Sequence, residues 1–200
     1  MANASITRSC NRACAYCFAR EALQCGPTHM TRDTFRTLLT YLQESKRDEI
    51  RLLGGEPTMH PQFCDFVRLA LQAHLRVVVF SNGLIPQNQL DLLCGLEHQQ
   101  LTVIVNASAL LDGSTTEAES VIRSLGRLGT RAMLGVTLYE TTQALDCLLD
   151  IIREMRLAPR LRIAKVYTPV KAAKTEFLEG TPKEIAAKLV EKLKNDARVI

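Results

Sequence analysis

The sequence predicts an α/β protein built on a parallel sheet. Three observations carry this expectation. Short apolar runs recur along the chain, stretches with helical spacing separate them, and polar or glycine-containing segments follow the runs. Strands alternating with helices form βαβ units, whose crossovers are right-handed and whose sheet is parallel.

The elements follow in order. Ile6–Arg8 reads as a short first strand. Thr31–Glu44 is a helix with a Thr cap and Phe35, Leu38, Leu39 and Leu42 at helical spacing. Glu49–Leu53 is a strand running into Gly54 and Gly55. Pro61 opens a helix carrying Phe63, Phe66, Val67 and Ala70 on one stripe, since proline is preorganised for a first helical turn. Leu75–Phe80, "LRVVVF", is a continuous apolar strand of the kind covered on both faces, ended by "SNG". Gln87–Leu96 is a helix, Leu101–Val105 a strand, Thr116–Leu128 a helix, Arg131–Leu138 a strand and Thr142–Met155 a helix. Leu161–Val166 is the sixth strand. Tyr167–Gly180 reads as a loop, and Thr181–Leu193 as a last helix with Ile185, Leu189, Val190 and Leu193 on one face.

The chain of 200 residues suits one domain. Hydrophobic residues make up 46% and charged residues 23%, as in a soluble globular domain. No apolar run is long enough for a transmembrane helix, and the N-terminus lacks the pattern of a signal peptide. Seven cysteines without a secretory signal read as cytoplasmic thiols or metal ligands, not as a disulfide framework. A net charge of +4, with no Trp and 5% aromatic residues, argues against a nucleic-acid binder, which needs stacking platforms.

Ligands of parallel α/β sheets bind beyond the C-terminal strand ends. There lie the cysteines of "SCNRACAYCFAR" after the first strand, "GGEP" after the second, Ser81 and Asn82 after the third, and Asn106 and Ser108 after the fourth. Cys10, Cys14 and Cys17 are spaced C-x3-C-x2-C. A closed zinc site needs four ligands, and no second pair follows. A redox dithiol of Cys14 and Cys17 leaves Cys10 unexplained. A buried structural trio sits poorly with Asn11, Arg12 and Arg20, and Arg8, Arg12 and Arg20 would favour thiolates. An iron–sulfur cluster fits best, because thiolates hold [4Fe–4S] cubes and three of them leave one iron open for a cofactor.

The cysteine spacing, the aromatic Tyr16 before the last cysteine, and "GGEP" after the next strand together resemble the radical S-adenosylmethionine superfamily. The resemblance covers almost the whole chain, because six strand–helix units fit that family's partial (β/α)6 TIM-type barrel. It implies a core domain over 1–200, with the barrel over about 4–166 and a loop and C-terminal helix over 167–200. It also implies a [4Fe–4S] cluster on Cys10, Cys14 and Cys17. Its open iron is chelated by S-adenosylmethionine, which is cleaved to methionine and a 5′-deoxyadenosyl radical that takes hydrogen from a substrate.

The same resemblance assigns cofactor contacts to Gly54, Gly55 and Glu56, with Glu56 accepting from the methionine amine. Tyr16 would meet the adenine through its backbone, and Ser81, Asn106 and Ser108 would line the site from the third and fourth strand ends. Plain turns or a core aromatic would also account for these residues. Arg51 is similar in position to a substrate-binding arginine of the molybdenum cofactor branch, although a surface charge on a strand is the preferred reading. Lys165 could face the barrel mouth. Cys94 and Cys147 read as small hydrophobes on apolar helix faces, Cys64 as a helix-start residue, and Cys25 as exposed. His29, His60, His74 and His98 show no metal spacing, and His60 closes a turn.

The implied partners are a small-molecule or peptide substrate and an electron donor such as flavodoxin or ferredoxin, with no membrane. The chain lacks the cysteine-rich extension common in peptide-modifying relatives, so a partner supplying substrate recognition is expected, or else a minimal core or a fragment. No catalytic side chain and no particular substrate are singled out. An activating enzyme that places a radical on a protein partner is the alternative, and a non-catalytic iron–sulfur or zinc scaffold is the alternative of another class.

Overall fold

A computed structural model describes residues 2–14, 16–17, 19, 28–96, 99–112, 114–137, 146–155 and 162–163. All lie within a unit spanning Met1–Val166. Among the described residues six strands form one sheet: β1 (Ala2–Thr7), β2 (Glu49–Gly54), β3 (Arg76–Ser81), β4 (Leu101–Asn106), β5 (Ala132–Val136) and β6 (Arg162–Ile163). Their order in space is their order in sequence, and every neighbouring pair is parallel. Right-handed crossovers that always step to the next strand put every helix on the same face. The result is the open barrel sheet expected from the sequence. Among the described residues no pairing joins β6 back to β1.

The helices are α1 (Arg32–Glu44), α2 (Phe63–Gln72), α3 (Gln87–Gly95), a short α4 (Ser108–Asp112), α5 (Thr115–Leu128) and α6 (Asp146–Glu154). Their starts follow local chemistry. The Thr31 side chain accepts the Thr34 N–H at 3.2 Å and caps α1. Ser114 and Glu117 form a reciprocal capping box on α5. Phe35 of α1 stacks on Phe66 of α2 with centroids 4.1 Å apart, joining the first two helices over the sheet.

The strands divide their residues by face. Ile50 and Leu52, Val77 and Val79, Val103 and Val105, and Ala132 and Leu134 are buried in the core that the helices cover. The alternate residues Arg51, Leu53, Val78, Phe80, Thr102, Ile104 and Met133 are only half-buried, on the opposite, concave face. "LRVVVF" is therefore covered fully on one side alone.

Several elements differ from their sequence expectations. β1 begins at Ala2, because Ala4 and Ile6 supply its buried face while Asn3 and Ser5 take the open one. Pro61 does not open a helix. The Gln62 N–H is taken by His60 Nδ1 at 3.0 Å, which holds a turn and delays α2 to Phe63. Helix α4 was not expected. Arg131 lies in a 3-10 turn ahead of β5. Cys147 is exposed, since its neighbour Leu148 takes the buried face of α6. The expected elements at 138–145 and 164–200, together with Cys25, His98 and Lys165, fall outside the described residues.

Candidate functional site

The cysteine segment leaves β1 at a clamped base. Arg8 N–H donates to the Thr28 carbonyl at 2.9 Å and Met30 N–H to the Ile6 carbonyl at 2.8 Å, so the chain leaves and rejoins β1 side by side. The Thr7 hydroxyl sits 2.9 Å from His29 Nδ1 and accepts the Ser9 N–H at 2.9 Å.

The two glycines of "GGEP" are required by the chain itself. Gly55 N–H donates to the Thr7 carbonyl at 2.9 Å and Glu56 N–H to the Ser9 carbonyl at 2.8 Å, zipping this segment onto the start of the cysteine segment. A Cβ at Gly54, whose φ is +150°, would collide with the Thr7 carbonyl oxygen, and one at Gly55 with the Ser9 carbonyl oxygen and Cys10 Cβ. Sequence reading assigned these glycines to close approach by a ligand. The close approach seen is that of β2 to the cysteine segment.

Glu56 is fully buried and braces two strand ends. Oε1 accepts the Thr58 N–H at 3.1 Å, the Thr58 hydroxyl at 2.7 Å and the Ser81 hydroxyl at 3.0 Å. Oε2 accepts the Asn82 N–H at 2.7 Å. A carboxylate offers about four lone-pair sites, and four donors from this chain already point at it. Burial pushes this carboxyl above its ordinary range, with the Thr58, Asn82 and Ser81 donors opposing. The Ser81 hydroxyl gives its hydrogen to Glu56 and accepts the Gly83 N–H at 3.1 Å. The side chains of Glu56 and Ser81 thus work on each other.

Asn82 reaches the cysteine segment. Its Nδ2 donates to Asn11 Oδ1 at 2.9 Å and lies 3.8 Å from Cys10 Sγ, while its Oδ1 accepts the Leu84 N–H at 2.9 Å. Asn11 Nδ2 donates to the Leu84 carbonyl at 2.7 Å. From the sequence, Asn82 accompanies Ser81 in the "SNG" that resembles the third strand end of the molybdenum cofactor and peptide-modifying branches.

On the other flank, the Tyr16 hydroxyl is hydrogen-bonded to the side chains of Ser108 and Cys14, and burial pushes its pKa up to about 12. The Ser108 hydroxyl donates to Asn106 Oδ1 at 2.6 Å, and Asn106 Nδ2 donates to the Thr137 hydroxyl at 3.2 Å. Tyr16, Asn106 and Ser108 form one chain of contacts from the cysteine segment to the ends of β4 and β5. Arg12 adds a further tie, donating to Cys14 Sγ at 3.6 Å and pairing with Glu117 of α5 at 3.5 Å.

Cys10, Cys14 and Cys17 are half-buried and none of them is in a disulfide. Burial pushes the Cys10 thiol up, a hydrogen bond with the Arg12 backbone opposes this, and the charges of Glu56, Cys14 and Cys17 push it further. The expected lowering by arginines is not met at Cys10. Among the described residues no three His, Cys, Asp or Glu side chains converge as a single metal ion requires. A lone zinc, with bonds of about 2.3 Å, would draw its sulfurs to within about 4 Å of each other. Three thiols in one short segment are the donor chemistry that a [4Fe–4S] cube takes, each thiolate holding a different iron.

Arg51 is no surface charge. It lies half-buried on the concave face, with Nε 2.7 Å from Glu49 Oε1. His60 closes its turn as expected, with Nε2 2.9 Å from the Met30 carbonyl.

An open parallel barrel thus carries three cysteines, "GGE" and "SNG" at adjoining strand ends. Residues 4–112 match the model of the Radical SAM superfamily, and the chain belongs to that superfamily. It is 27% identical over 123 residues to the mycofactocin maturase MftC of Mycobacterium tuberculosis (strain ATCC 25618 / H37Rv), covering 60% of this chain and 29% of that one. It is 32% identical over 106 residues to the GTP 3',8-cyclase of Chlorobaculum tepidum, covering 50% of this chain and 31% of that one. Streptococcus suis SuiB bound to S-adenosylmethionine shares the fold at a TM-score of 0.61 and 14% identity, over 96% of this chain and 47% of SuiB. SuiB bound to its precursor peptide SuiA gives a TM-score of 0.58 and 15% identity, over 78% of this chain and 37% of SuiB. The chain spans about a third of the length of the curated relatives it matches.

Proposed function

We propose that this chain is the catalytic core of a radical S-adenosylmethionine enzyme, with a [4Fe–4S] cluster on Cys10, Cys14 and Cys17 and S-adenosylmethionine at the iron they leave open. The observation that carries the reading is the fastening of the cysteine segment to "GGE" by the Thr7 and Ser9 carbonyls. That fastening puts the thiols beside the segment assigned to the methionine moiety. Bound together, cluster and cofactor supply a one-electron cleavage of the sulfonium that starts hydrogen abstraction.

The chain's own residues position that chemistry. Glu56 fixes the ends of β2 and β3 relative to each other, and with the backbone of Gly54 and Gly55 it would meet the methionine amine, since Oε2 accepts the Asn82 N–H and has room for a second donor. Tyr16, Ser108 and Asn106 brace the far wall, and Ser81 serves through Glu56. The concave face, with Arg51, Phe80, Thr102 and Ile104, would meet the substrate, a peptide or small molecule. MftC is named a maturase and SuiB binds a precursor peptide, which supports a peptide substrate. The electron would come from a low-potential donor of the flavodoxin or ferredoxin kind.

The test is anaerobic reconstitution with iron and sulfide, then reduction in the presence of S-adenosylmethionine, with 5′-deoxyadenosine followed by chromatography. Formation of 5′-deoxyadenosine that depends on the cluster is expected. Absence of bound iron would overturn the reading, and a loaded cluster that releases no 5′-deoxyadenosine would reduce the protein to an iron–sulfur scaffold.

A further inference from the structure

Asn82 stands at the C-terminal end of β3, 72 residues from Cys10, yet its amide is aimed at that cysteine. The direction of that amide is fixed by partners whose roles are unambiguous. Oδ1 accepts from the Leu84 backbone N–H at 2.9 Å, which turns Nδ2 toward the cysteine segment. Asn11 is fixed in the same way: its Nδ2 donates to the Leu84 carbonyl, which presents its Oδ1 to Asn82. One hydrogen of Asn82 Nδ2 goes to Asn11 Oδ1 at 2.9 Å, and the other is left for Cys10 Sγ at 3.8 Å. The Asn82 backbone is itself pinned, through its N–H, to buried Glu56.

We propose that Asn82 is a positioning residue that holds the Cys10 thiolate and raises the potential at which the cluster takes up its electron. The inference rests on the cluster reading given above. The step is the gain of one electron by the oxidised cluster from a low-potential one-electron donor, with no bond made or broken. The reduced cluster carries one more negative charge, which spreads onto its thiolate sulfurs. An N–H donated to one of those sulfurs stabilises the reduced form more than the oxidised form and raises the potential. Pinning by Glu56 and Asn11 means that the donor is oriented before the cluster is present.

The experiment compares the full chain with N82A and N82D after anaerobic reconstitution. Bound iron and sulfide are counted, circular dichroism is recorded, and the midpoint potential is read by redox titration followed by electron paramagnetic resonance. N82D keeps the acceptor for the Leu84 N–H and removes the donors. Both variants are expected to keep the wild-type circular dichroism and either to reduce at a more negative potential or to lose iron. A folded variant with full iron and the wild-type potential would overturn the proposal, and so would unfolding of both variants, which would assign Asn82 to the fold. Failure of the wild type to bind iron would instead strike the cluster reading.

Discussion

The Glu56 carboxylate, at the end of β2, accepts the backbone N–H of Asn82, at the end of β3, at 2.7 Å while wholly buried. Two strand ends are thereby joined by a carboxyl side chain that water does not reach.

Glu56→Gln tests that joint. Glutamine brings an N–H to a place where four donors already converge, so at least one donor loses its acceptor. Each buried donor left unsatisfied costs about 1–3 kcal/mol. Urea denaturation of the metal-free chain is expected to show a midpoint lowered accordingly, and an unchanged midpoint would refute the bracing role.

Gly54→Ala drives a methyl group into the Thr7 carbonyl and asks an L-residue to hold a φ of +150°. Strain of this kind costs roughly 1–3 kcal/mol. Relief requires β1 and β2 to part at the base of the cysteine segment. The variant should melt earlier and bind less iron, whereas Gly95→Ala, at a position with open space for a Cβ, should do neither.

Cys14→Ala should remove bound iron and 5′-deoxyadenosine formation but leave the circular dichroism unchanged. The three cysteines are half-buried in a segment outside the core cluster. Wild-type iron content in that variant would sink the ligand assignment.

Cys64 gives a pH prediction. It is buried, donates to Gln89 Oε1 at 3.1 Å, and has its pKa pushed up by burial to about 11. An acid whose folded pKa is raised contributes stability that is complete below the ordinary thiol value of about 8.5–9. That contribution is lost as pH climbs through about 11. Alkylation followed by mass spectrometry should find exposed Cys147 modified at pH 8 and Cys64 modified only as the pH nears its own value. Equal labelling at pH 8 would contradict the burial.

The fold was largely legible because β2 to β5 bury Val, Ile and Leu on one face and α1, α2 and α5 carry apolar stripes. The signal failed where the barrel's open face allows polar residues. "ANASIT" shows little hydrophobicity, yet Ala4 and Ile6 suffice for β1. Pro61 was misread because a histidine ring nitrogen, not a helix, takes the next N–H. For the candidate site, spacing singled out the three cysteines and strand-end position singled out Glu56, Ser81 and Ser108. What position could not reveal was which partner each side chain faces. Glu56 faces Asn82 and Ser81, and Arg12 faces Glu117, across separations that no local pattern encodes.

The alternation of buried and half-open residues along β2 to β5 separates two kinds of genetic change. Substitutions at Val77, Val79, Val103 or Val105 unsettle the core, whereas those at Val78, Phe80, Thr102, Ile104 or Met133 reshape the concavity with the helices still seated. A selection experiment confined to the second set would explore new chemistry on an intact frame, and neighbouring codons in one gene would answer to different selective pressures.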